Sequence, residues 1–177
     1  MRDAELTRAI RERAYLEGEF VLRSGRRSSF YLDKYRFSTD PELLREIGAR
    51  LAEAVGRVDP DATRLAAPEL GAVPLAAATS LACGMPFVIV RGQAKEYGTG
   101  NRLEGMFSPG ERVCLIEDVV TSGGAAAEAV AAVRQAGLEC SSAVCVVDRE
   151  EGGADALARL AVRLWPLFRA ADITDHS

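Results

Sequence analysis

Apolar residues recur at intervals of three and four along several stretches of the chain, and this spacing predicts amphipathic helices. The first helix is predicted over residues 4–17. Asp40 and Pro41 combine a capping residue with a first-turn proline, so a second helix is expected to open there and to stop near Gly56. Further predicted elements are two short strands at 20–22 and 28–32 and two helices at 73–83 and 125–136.

Four short apolar runs alternate with the later helices, at residues 64–67, 86–90, 113–116 and 143–147. Unbroken apolar strands separated by helices are typical of a parallel sheet covered on both faces. The predicted fold class is therefore α/β, with a mostly parallel sheet flanked by helices. Ligands of such sheets lie beyond the carboxyl ends of the strands. We therefore expect the site to be lined by the residues that follow Ala67, Val90, Ile116 and Val147.

Composition places the chain among ordinary globular proteins, because 48% of its residues are hydrophobic, 27% are charged, and the mean hydropathy is near zero. No apolar run approaches the roughly 20 residues of a membrane helix, and the N-terminal residues lack the apolar stretch of a signal peptide. A net charge of −4 argues against nucleic-acid binding. We expect a single cytoplasmic domain over 1–177, with no membrane and no nucleic acid among its partners.

The numbers of histidine, cysteine and lysine residues narrow the kinds of catalytic and metal-binding chemistry that the chain can carry. The sole histidine of the sequence, His176, is its penultimate residue, which argues against histidine catalysis and histidine-ligated zinc. The four cysteines stand singly in apolar stretches and are expected to be buried reduced thiols. Twenty of the 22 basic residues are arginine, so the two lysines, Lys34 and Lys95, mark positions where a compact ammonium group is favoured.

The strongest chemical signal is at 113–125, where an apolar strand ends in Glu117 and Asp118 and a Thr-Ser-Gly-Gly turn leads into a helix. Small residues at a helix N-terminus let backbone N–H groups bind a phosphate. Acids repel a phosphate, so the two carboxylates are expected to face neutral hydroxyl groups of the same ligand. A sugar phosphate would place its hydroxyl groups at the acids and its phosphate at the turn. The alternative interpretation is that Thr121 and Ser122 only cap a helix and that the two acids are solvated. Neither nucleotide-binding motif, G-x-x-x-x-G-K-[ST] or G-x-G-x-x-G, is present.

Residues 117–125 resemble the phosphoribosyl pyrophosphate (PRPP) motif of type I phosphoribosyltransferases. Three further segments resemble one branch of that family, the orotate phosphoribosyltransferases: 20–31 its base-binding segment, 91–105 its catalytic loop, and 147–153 its orotate-binding strand end. The resemblance implies a type I phosphoribosyltransferase-like core with a small N-terminal hood at 1–38 and a flexible catalytic loop at 91–105. It implies transfer of a phosphoribosyl group from PRPP to orotate, giving orotidine 5′-phosphate and pyrophosphate in pyrimidine synthesis.

The resemblance also implies residue roles. Lys95 and Asp118 are expected to be catalytic, and Lys95 would offset charge on the leaving pyrophosphate. Orotate is expected to bind Thr121, Arg149, Arg23 and Tyr31. PRPP is expected to bind Arg91, Lys95, Tyr97, Glu117, Asp118, Val119, Val120, Thr121, Ser122, Gly123, Gly124 and Ala125. The expected cofactor is Mg²⁺ held by PRPP and water, without dedicated protein ligands, and the expected assembly is a homodimer whose loops each serve the neighbouring subunit.

Some positions depart from the family's pattern. Gly92 and Tyr97 stand where many members have a lysine and a histidine, and Leu70-Gly71 stand where some members have a lysine. These departures bear on rate and pyrophosphate affinity more than on reaction type.

Plainer interpretations of the predicted site residues stay open. Arg91 could form a structural ion pair, Lys95 could be a solvated loop charge, Arg23 could be a surface arginine, and Tyr31 could pack in the core. Three other functions also stay open: a phosphoribosyltransferase for a different base, a PRPP-binding regulator with little turnover, and a sugar-phosphate binding module.

Overall fold

The computed structural model of the protein describes residues 1, 3–21, 25, 27–93 and 102–174. Helices and strands alternate through most of this length. The helices are α1 (Asp3–Ala14), α2 (Lys34–Ser38), α3 (Pro41–Val58), α4 (Ala72–Cys83), α5 (Gly124–Gln135), α6 (Gly153–Ala158) and α7 (Ala170–Thr174). The strands are β1 (Tyr15–Val21), β2 (Arg27–Leu32), β3 (Arg64–Pro68), β4 (Phe87–Val90), β5 (Leu103–Glu104), β6 (Arg112–Val120), β7 (Glu139–Asp148) and β8 (Arg163–Arg169).

Six of the strands form a central sheet in the order β5-β4-β3-β6-β7-β8. The neighbours from β4 to β8 are parallel, and β5 runs antiparallel to β4 at one edge. The mostly parallel α/β sheet predicted from the sequence is therefore confirmed. The carboxyl ends of the parallel strands lie at one end of the sheet, which we call the carboxyl edge and which binds ligands in sheets of this type.

Apolar side chains pack on both faces of the sheet. One cluster joins α1, α3 and α4 to the sheet, and the other lies between the sheet and helices α5 and α6. Strand β6 contributes to both, with Cys114 and Ile116 in the first cluster and Val113 and Leu115 in the second. Successive side chains of a strand point to opposite faces, so a strand covered on both sides is apolar at every position.

Strand β6 is longer than the strand predicted at 113–116. It continues to Val120 because its pairing with β7 extends to the partners Val120 and Asp148. Glu117 and Asp118 therefore lie within the strand and are buried, and the prediction that the strand ends before them is wrong. Sheet pairing consequently holds the backbone of both acids in place.

The N-terminal segment consists of α1, an antiparallel β1–β2 hairpin and the short helix α2. The helix predicted over 4–17 is wrong at its end, because α1 stops at Ala14 and Tyr15 begins β1. Tyr15 pairs with Leu32, and its ring lies 5.4 Å from the ring of Phe30. Such cross-strand aromatic contacts stabilise a hairpin and override the helical periodicity.

The start of α3 follows its predicted capping signal. The Asp40 carboxylate accepts hydrogen bonds from the N–H groups of Glu42 and Leu43, and Pro41 occupies the first turn. Five elements, α2, β5, α6, β8 and α7, have no counterpart among the predicted elements. Four of them have at most six residues and are too short for periodicity to reveal them, whereas β8 has seven residues and contains Pro166, which weakens a strand pattern. Among the helices of the described residues, none has the length and apolar character needed to span a membrane.

Candidate active site

The segments that follow the parallel strands are joined to one another at the carboxyl edge. After β3, the Glu69 carboxylate accepts a hydrogen bond from the Gly92 N–H, which follows β4, at 2.8 Å. After β7, the Arg149 N–H donates to the Val120 carbonyl at the end of β6, at 2.9 Å. The structure therefore brings together the segments predicted to line the site.

The turn between β6 and α5 consists of Thr121, Ser122 and Gly123. Gly123 has a φ of 80°, and a Cβ there would lie 2.9 Å from the Gly153 carbonyl oxygen, so the turn requires glycine. No side chain caps the N-terminus of α5, which removes the alternative that Thr121 or Ser122 acts as a helix cap. The first N–H groups of α5 are thus left for an anion, and exposed Thr121, Ser122, Gly124 and Ala125 leave room for one.

Val119 and Val120, which are predicted to bind PRPP, present their backbone groups to a ligand more readily than their side chains. Val120 is buried, and its side chain lies against Gly153, where an added Cβ would overlap Val120 Cγ1. Val119 is half-buried and packs against the core cluster beside α1, α3 and α4. Their contribution to an anion site would therefore come from the backbone.

Glu117 is a buried acid whose Oε1 atom has no hydrogen-bond partner among the described residues. Burial, and next the charge of Asp118, raise the pKa of Glu117 from 4.5 to about 8, and the attraction of Lys34 offsets only part of this rise. Buried polar atoms are normally hydrogen-bonded. A ligand hydroxyl at this position would supply the missing donor.

Asp118 is the second buried acid, and both of its oxygens are held. Oδ2 lies 2.8 Å from Nζ of Lys34, and Oδ1 accepts a hydrogen bond from the Val119 N–H at 2.5 Å. Burial by itself would lower the pKa of Lys34, but the neighbouring Asp118 carboxylate outweighs burial, and the pKa is raised. Lys34 is absent from the predicted site residues, although the scarcity of lysine in the sequence points to it.

Arg149 directly follows β7 and faces the N-terminal hairpin. Its guanidinium carbon lies 4.7 Å from the centre of the Phe30 ring, and Nε lies 3.0 Å from a Glu151 oxygen. The side chain is 9% exposed, so Arg149 is largely shielded from solvent. Phe30, which was not predicted as a site residue, connects the hairpin to the carboxyl edge.

The predicted orotate residue Tyr31 lies beside this region. Its ring is 5.6 Å from the ring of Phe20, and 38% of the residue is exposed. Full core packing is therefore excluded for Tyr31. A small apolar cavity on the Phe30 face of the hairpin, which Tyr31 does not line, is lined by Tyr15, Phe30, Leu32, Val147, Arg149, Ala170, Ile173 and Thr174.

Arg91 directly follows β4. Its N–H donates to the Arg102 carbonyl at 2.8 Å, and Nη1 lies 3.8 Å from a Glu104 oxygen. The predicted loop over 91–105 thus begins and ends in neighbouring positions, and Leu103–Glu104 at its end form β5. The ion pair agrees with the structural interpretation of Arg91, while a side chain that is 36% exposed leaves the guanidinium accessible to an anion.

Three predicted site residues, Arg23, Lys95 and Tyr97, lie outside the described residues, and their roles stay predictions. A separate cavity of about 680 Å³ between α1, α3 and β8 contains none of the predicted site residues. The described part of the candidate active site is therefore the carboxyl edge from Glu69 to Arg149 together with Lys34 and Phe30.

Individual proteins resemble the chain along most of its length, although no model of a protein family matches it. An orotate phosphoribosyltransferase of Halobacterium salinarum is 51% identical over 158 residues, which cover 89% of this chain and 88% of that protein. An orotate phosphoribosyltransferase of Methanocella arvoryzae is 43% identical over 176 residues, which cover 98% of each.

Two crystal structures of the orotate phosphoribosyltransferase of Mycobacterium tuberculosis H37Rv have the same fold. The complex with Fe(III) dicitrate has a TM-score of 0.87 and 32% identity, covering 98% of this chain and 99% of that chain. The complex with PRPP has a TM-score of 0.81 and 31% identity, covering 97% and 98%. With sequence identity of this size over nearly the whole length of its relatives, the chain belongs to the orotate phosphoribosyltransferase family.

Proposed function

We propose that the chain, as one domain over 1–177, transfers the phosphoribosyl group of PRPP to orotate and yields orotidine 5′-phosphate and pyrophosphate, a step of pyrimidine nucleotide synthesis. The observation that carries the proposal is the junction of β6 and α5. Two buried acids, Glu117 and Asp118, lie near the end of β6, and the turn after β6 leads to a helix N-terminus that no side chain of the described residues caps. A ligand with hydroxyl groups beside a phosphate matches this junction.

PRPP would bind along the junction. Glu117 and Asp118 would accept hydrogen bonds from the ribose hydroxyl groups, and the N–H groups of 121–125 would bind the 5′-phosphate at the start of α5. The partnerless Oε1 of Glu117 supports this placement, because a hydroxyl donor would satisfy it. The related Mycobacterium tuberculosis protein has been crystallised with PRPP.

Orotate would bind between the hairpin and the end of β7. The Arg149 guanidinium, held against the Phe30 ring, would pair with the orotate carboxylate or ring oxygens. Thr121, Tyr31 and Arg23 would contribute from the turn after β6 and from the hairpin segment. This arrangement places the base next to the ribose that Glu117 and Asp118 bind.

The reaction would be a displacement at the anomeric carbon of ribose, through a transition state with oxocarbenium character. Asp118 would hold the ribose hydroxyl groups, and Arg91, Tyr97 and Lys95 would bind the leaving pyrophosphate. Lys95 would offset charge as the C–O bond breaks, where electrostatic stabilisation acts most strongly. The segment over 91–105 would act as the catalytic loop, and the segment over 1–38 as the hood over the base.

Magnesium would enter with PRPP. When bound, the metal neutralises charge on the pyrophosphate. No protein ligand is assigned to it, since Mg²⁺ keeps several of its waters and binds through substrate phosphates. The buried carboxylate of Asp118 fits a metal-bearing substrate, because its negative charge favours a ligand that carries cations with it.

The assembly would be a homodimer in which each subunit supplies Lys95 to the partner's site. Large apolar side chains on the side of the sheet formed by α4, β4 and β5 support an interface there. Leu81 of α4 is 89% exposed, and Met106, just after β5, is 88% exposed. A cytoplasmic location is supported by the cysteines, which are all free and of which three are buried, as expected in a reducing compartment.

The test is consumption of orotate, followed by its ultraviolet absorbance, in the presence of PRPP and magnesium. The product is identified as orotidine 5′-phosphate by mass spectrometry. We expect consumption to require both additions, and Lys95→Ala to lower kcat about a hundredfold, the scale of one lost electrostatic contact in a transition state. Arg57→Ala, a charge removal at the far end of α3, is the matched control and should leave kcat unchanged.

Other outcomes would replace the proposal. Turnover of a different base in a parallel panel of purines and pyrimidines, with orotate untouched, would identify a different phosphoribosyltransferase. Binding of PRPP without turnover of any base would indicate a regulator. Failure to bind PRPP while other sugar phosphates bind would leave a sugar-phosphate binding module.

A further inference from the structure

Lys34 reaches the candidate active site from the N-terminal segment. It is the first residue of α2, directly after Asp33, which caps that helix by accepting a hydrogen bond from the Tyr35 N–H. Its ammonium nitrogen lies 2.8 Å from Asp118 Oδ2. The Asp118 side chain is 5% exposed, whereas that of Lys34 is 34% exposed. The contact therefore joins a partly solvated cation to a buried anion.

The space for this contact depends on Gly71. Gly71 precedes α4, and a Cβ added there would overlap Asp118 Oδ2 and lie 3.1 Å from Lys34 Cε. Three segments that are distant in sequence thus meet around one carboxylate. Their close approach holds the Lys34 side chain between Gly71 and the Asp118 carboxylate.

Asp118 has further acidic groups near it on strands β6 and β7. Glu117 precedes it on β6, and Asp148 lies at the end of the neighbouring strand β7. Among the described residues, Lys34 is the cation within ion-pair distance of either β6 acid. Without a cation, two adjacent buried acids disfavour each other's ionised form. The attraction of Lys34 also opposes the rise in the pKa of Glu117.

We propose that Lys34 is a positioning residue for PRPP: it fixes the Asp118 carboxylate, charged and oriented, to accept a ribose hydroxyl group. Lys34 binds Oδ2, and the Val119 N–H binds Oδ1, so the carboxylate enters the reaction with its orientation set. This inference rests on the proposed function, since it assigns the hydroxyl groups of PRPP to Asp118.

The test compares Lys34→Met and Lys34→Arg with the parent. Calorimetry measures the Kd of PRPP with magnesium, and steady-state assays measure the KM of PRPP and of orotate. We expect Lys34→Met to raise the Kd and the KM of PRPP about tenfold to a hundredfold, the size of one lost charged hydrogen bond. The KM of orotate should stay within about twofold, and Lys34→Arg should stay within about fivefold of the parent for PRPP, because the charge is retained.

The matched control is Arg36→Met on the same short helix. Arg36 pairs with Asp33 at 3.3 Å, and its side chain is 53% exposed, so its removal takes one cation from α2 without touching Asp118. PRPP affinity should be unchanged in this variant. Thermal unfolding of all variants verifies that each is folded, and the arginine variant keeps the test decisive if the methionine variant is unstable.

The inference is overturned if Lys34→Met binds PRPP as tightly as the parent or more tightly, because Lys34 would then be dispensable or would obstruct the site. It is also overturned if Lys34→Arg loses as much affinity as Lys34→Met, since charge would then not be the cause. A parent that binds PRPP but does not consume orotate contradicts the proposed function alone, and the PRPP affinities still decide the role of Lys34. A parent that binds no PRPP contradicts both.

Discussion

At the scale of single residues, Glu117 shows how burial alters the chemistry of a carboxyl group. Its pKa rises to about 8 because it is buried beside a second acid, and Lys34 compensates only in part. The group facing it from β7 is Cys145, its partner in the strand pairing, whose own pKa is raised by burial so that the thiol stays neutral. Glu117 is therefore mostly protonated in the free protein at neutral pH.

This shift predicts how stability depends on pH. Between pH 4.5 and about 8 the folded protein holds a proton on Glu117 that the unfolded chain has released, so this group's contribution to stability falls as the pH rises through that window. Glu117→Gln removes the titration. We expect the Tm of the parent to decline more steeply than that of Glu117→Gln from pH 5 to pH 8. Parallel Tm profiles would show that Glu117 is ionised in the folded protein.

At the scale of secondary-structure elements, a second buried acid joins α3, β6 and β7 at the amino ends of the strands. Asp59, at the end of α3, is fully buried. Its carboxylate lies 2.6 Å from Arg112 Nε on β6 and accepts a hydrogen bond from the Ser142 hydroxyl on β7 at 2.5 Å. The described site residues that follow β4, β6 and β7 lie at the carboxyl edge, so this cluster is expected to contribute to stability and not to substrate binding.

We therefore predict that Arg112→Met lowers the free energy of unfolding by about 3 kcal/mol, because Asp59 would be left buried without its cation. This value is at the low end for breaking a buried ion pair, since the Arg112 side chain is itself 38% exposed. Urea denaturation measures the loss, and the KM of PRPP should not change. Arg45→Met, an exposed position of α3, serves as the control. Equal stability of the two variants would contradict the structural role of Arg112.

At the scale of the whole molecule, the sheet separates two kinds of charge. The amino ends carry ion pairs that join elements, such as Arg64 with Glu111, whose two nitrogen–oxygen contacts are 2.9 and 3.0 Å. The carboxyl edge carries Glu117, whose Oε1 atom has no hydrogen-bond partner among the described residues. A buried polar atom without a hydrogen-bond partner is expected where a bound ligand supplies that partner. Function and stability can therefore be changed independently by mutation.

The proposed assembly predicts complementation between inactive variants. Lys95→Ala removes the loop cation, and Asp118→Asn removes an anion of the binding site. When the two variants are mixed, unfolded and refolded together, half of the dimers are hybrids, and each hybrid has one intact site if the loop serves the partner. We expect activity to return to about a quarter of the parent value. Absence of any recovered activity in hybrids, verified as dimers by native mass spectrometry, would place the loop in its own subunit's site.

Much of this organisation follows from local sequence. Apolar runs of four or five residues predict the parallel sheet, and Asp40-Pro41 predicts the start of α3, because solvent exclusion and helix capping act over a few residues. The 113–125 pattern similarly predicts the turn at the start of α5. The predictions that are wrong concern the ends of elements: β1 replaces the end of the first helix at Tyr15, and β6 runs past its predicted end.

Tertiary structure alone decides the remaining features, because they depend on pairing between distant segments. Strand β6 extends to Val120 since β7 offers hydrogen-bond partners that far, and this pairing buries Glu117 and Asp118. The contact of Lys34 with Asp118 requires α2, β6 and Gly71 to meet, which no spacing along the chain reveals. The sequence by itself thus determines the fold class and the kind of ligand, whereas the folded chain decides which charges face one another there.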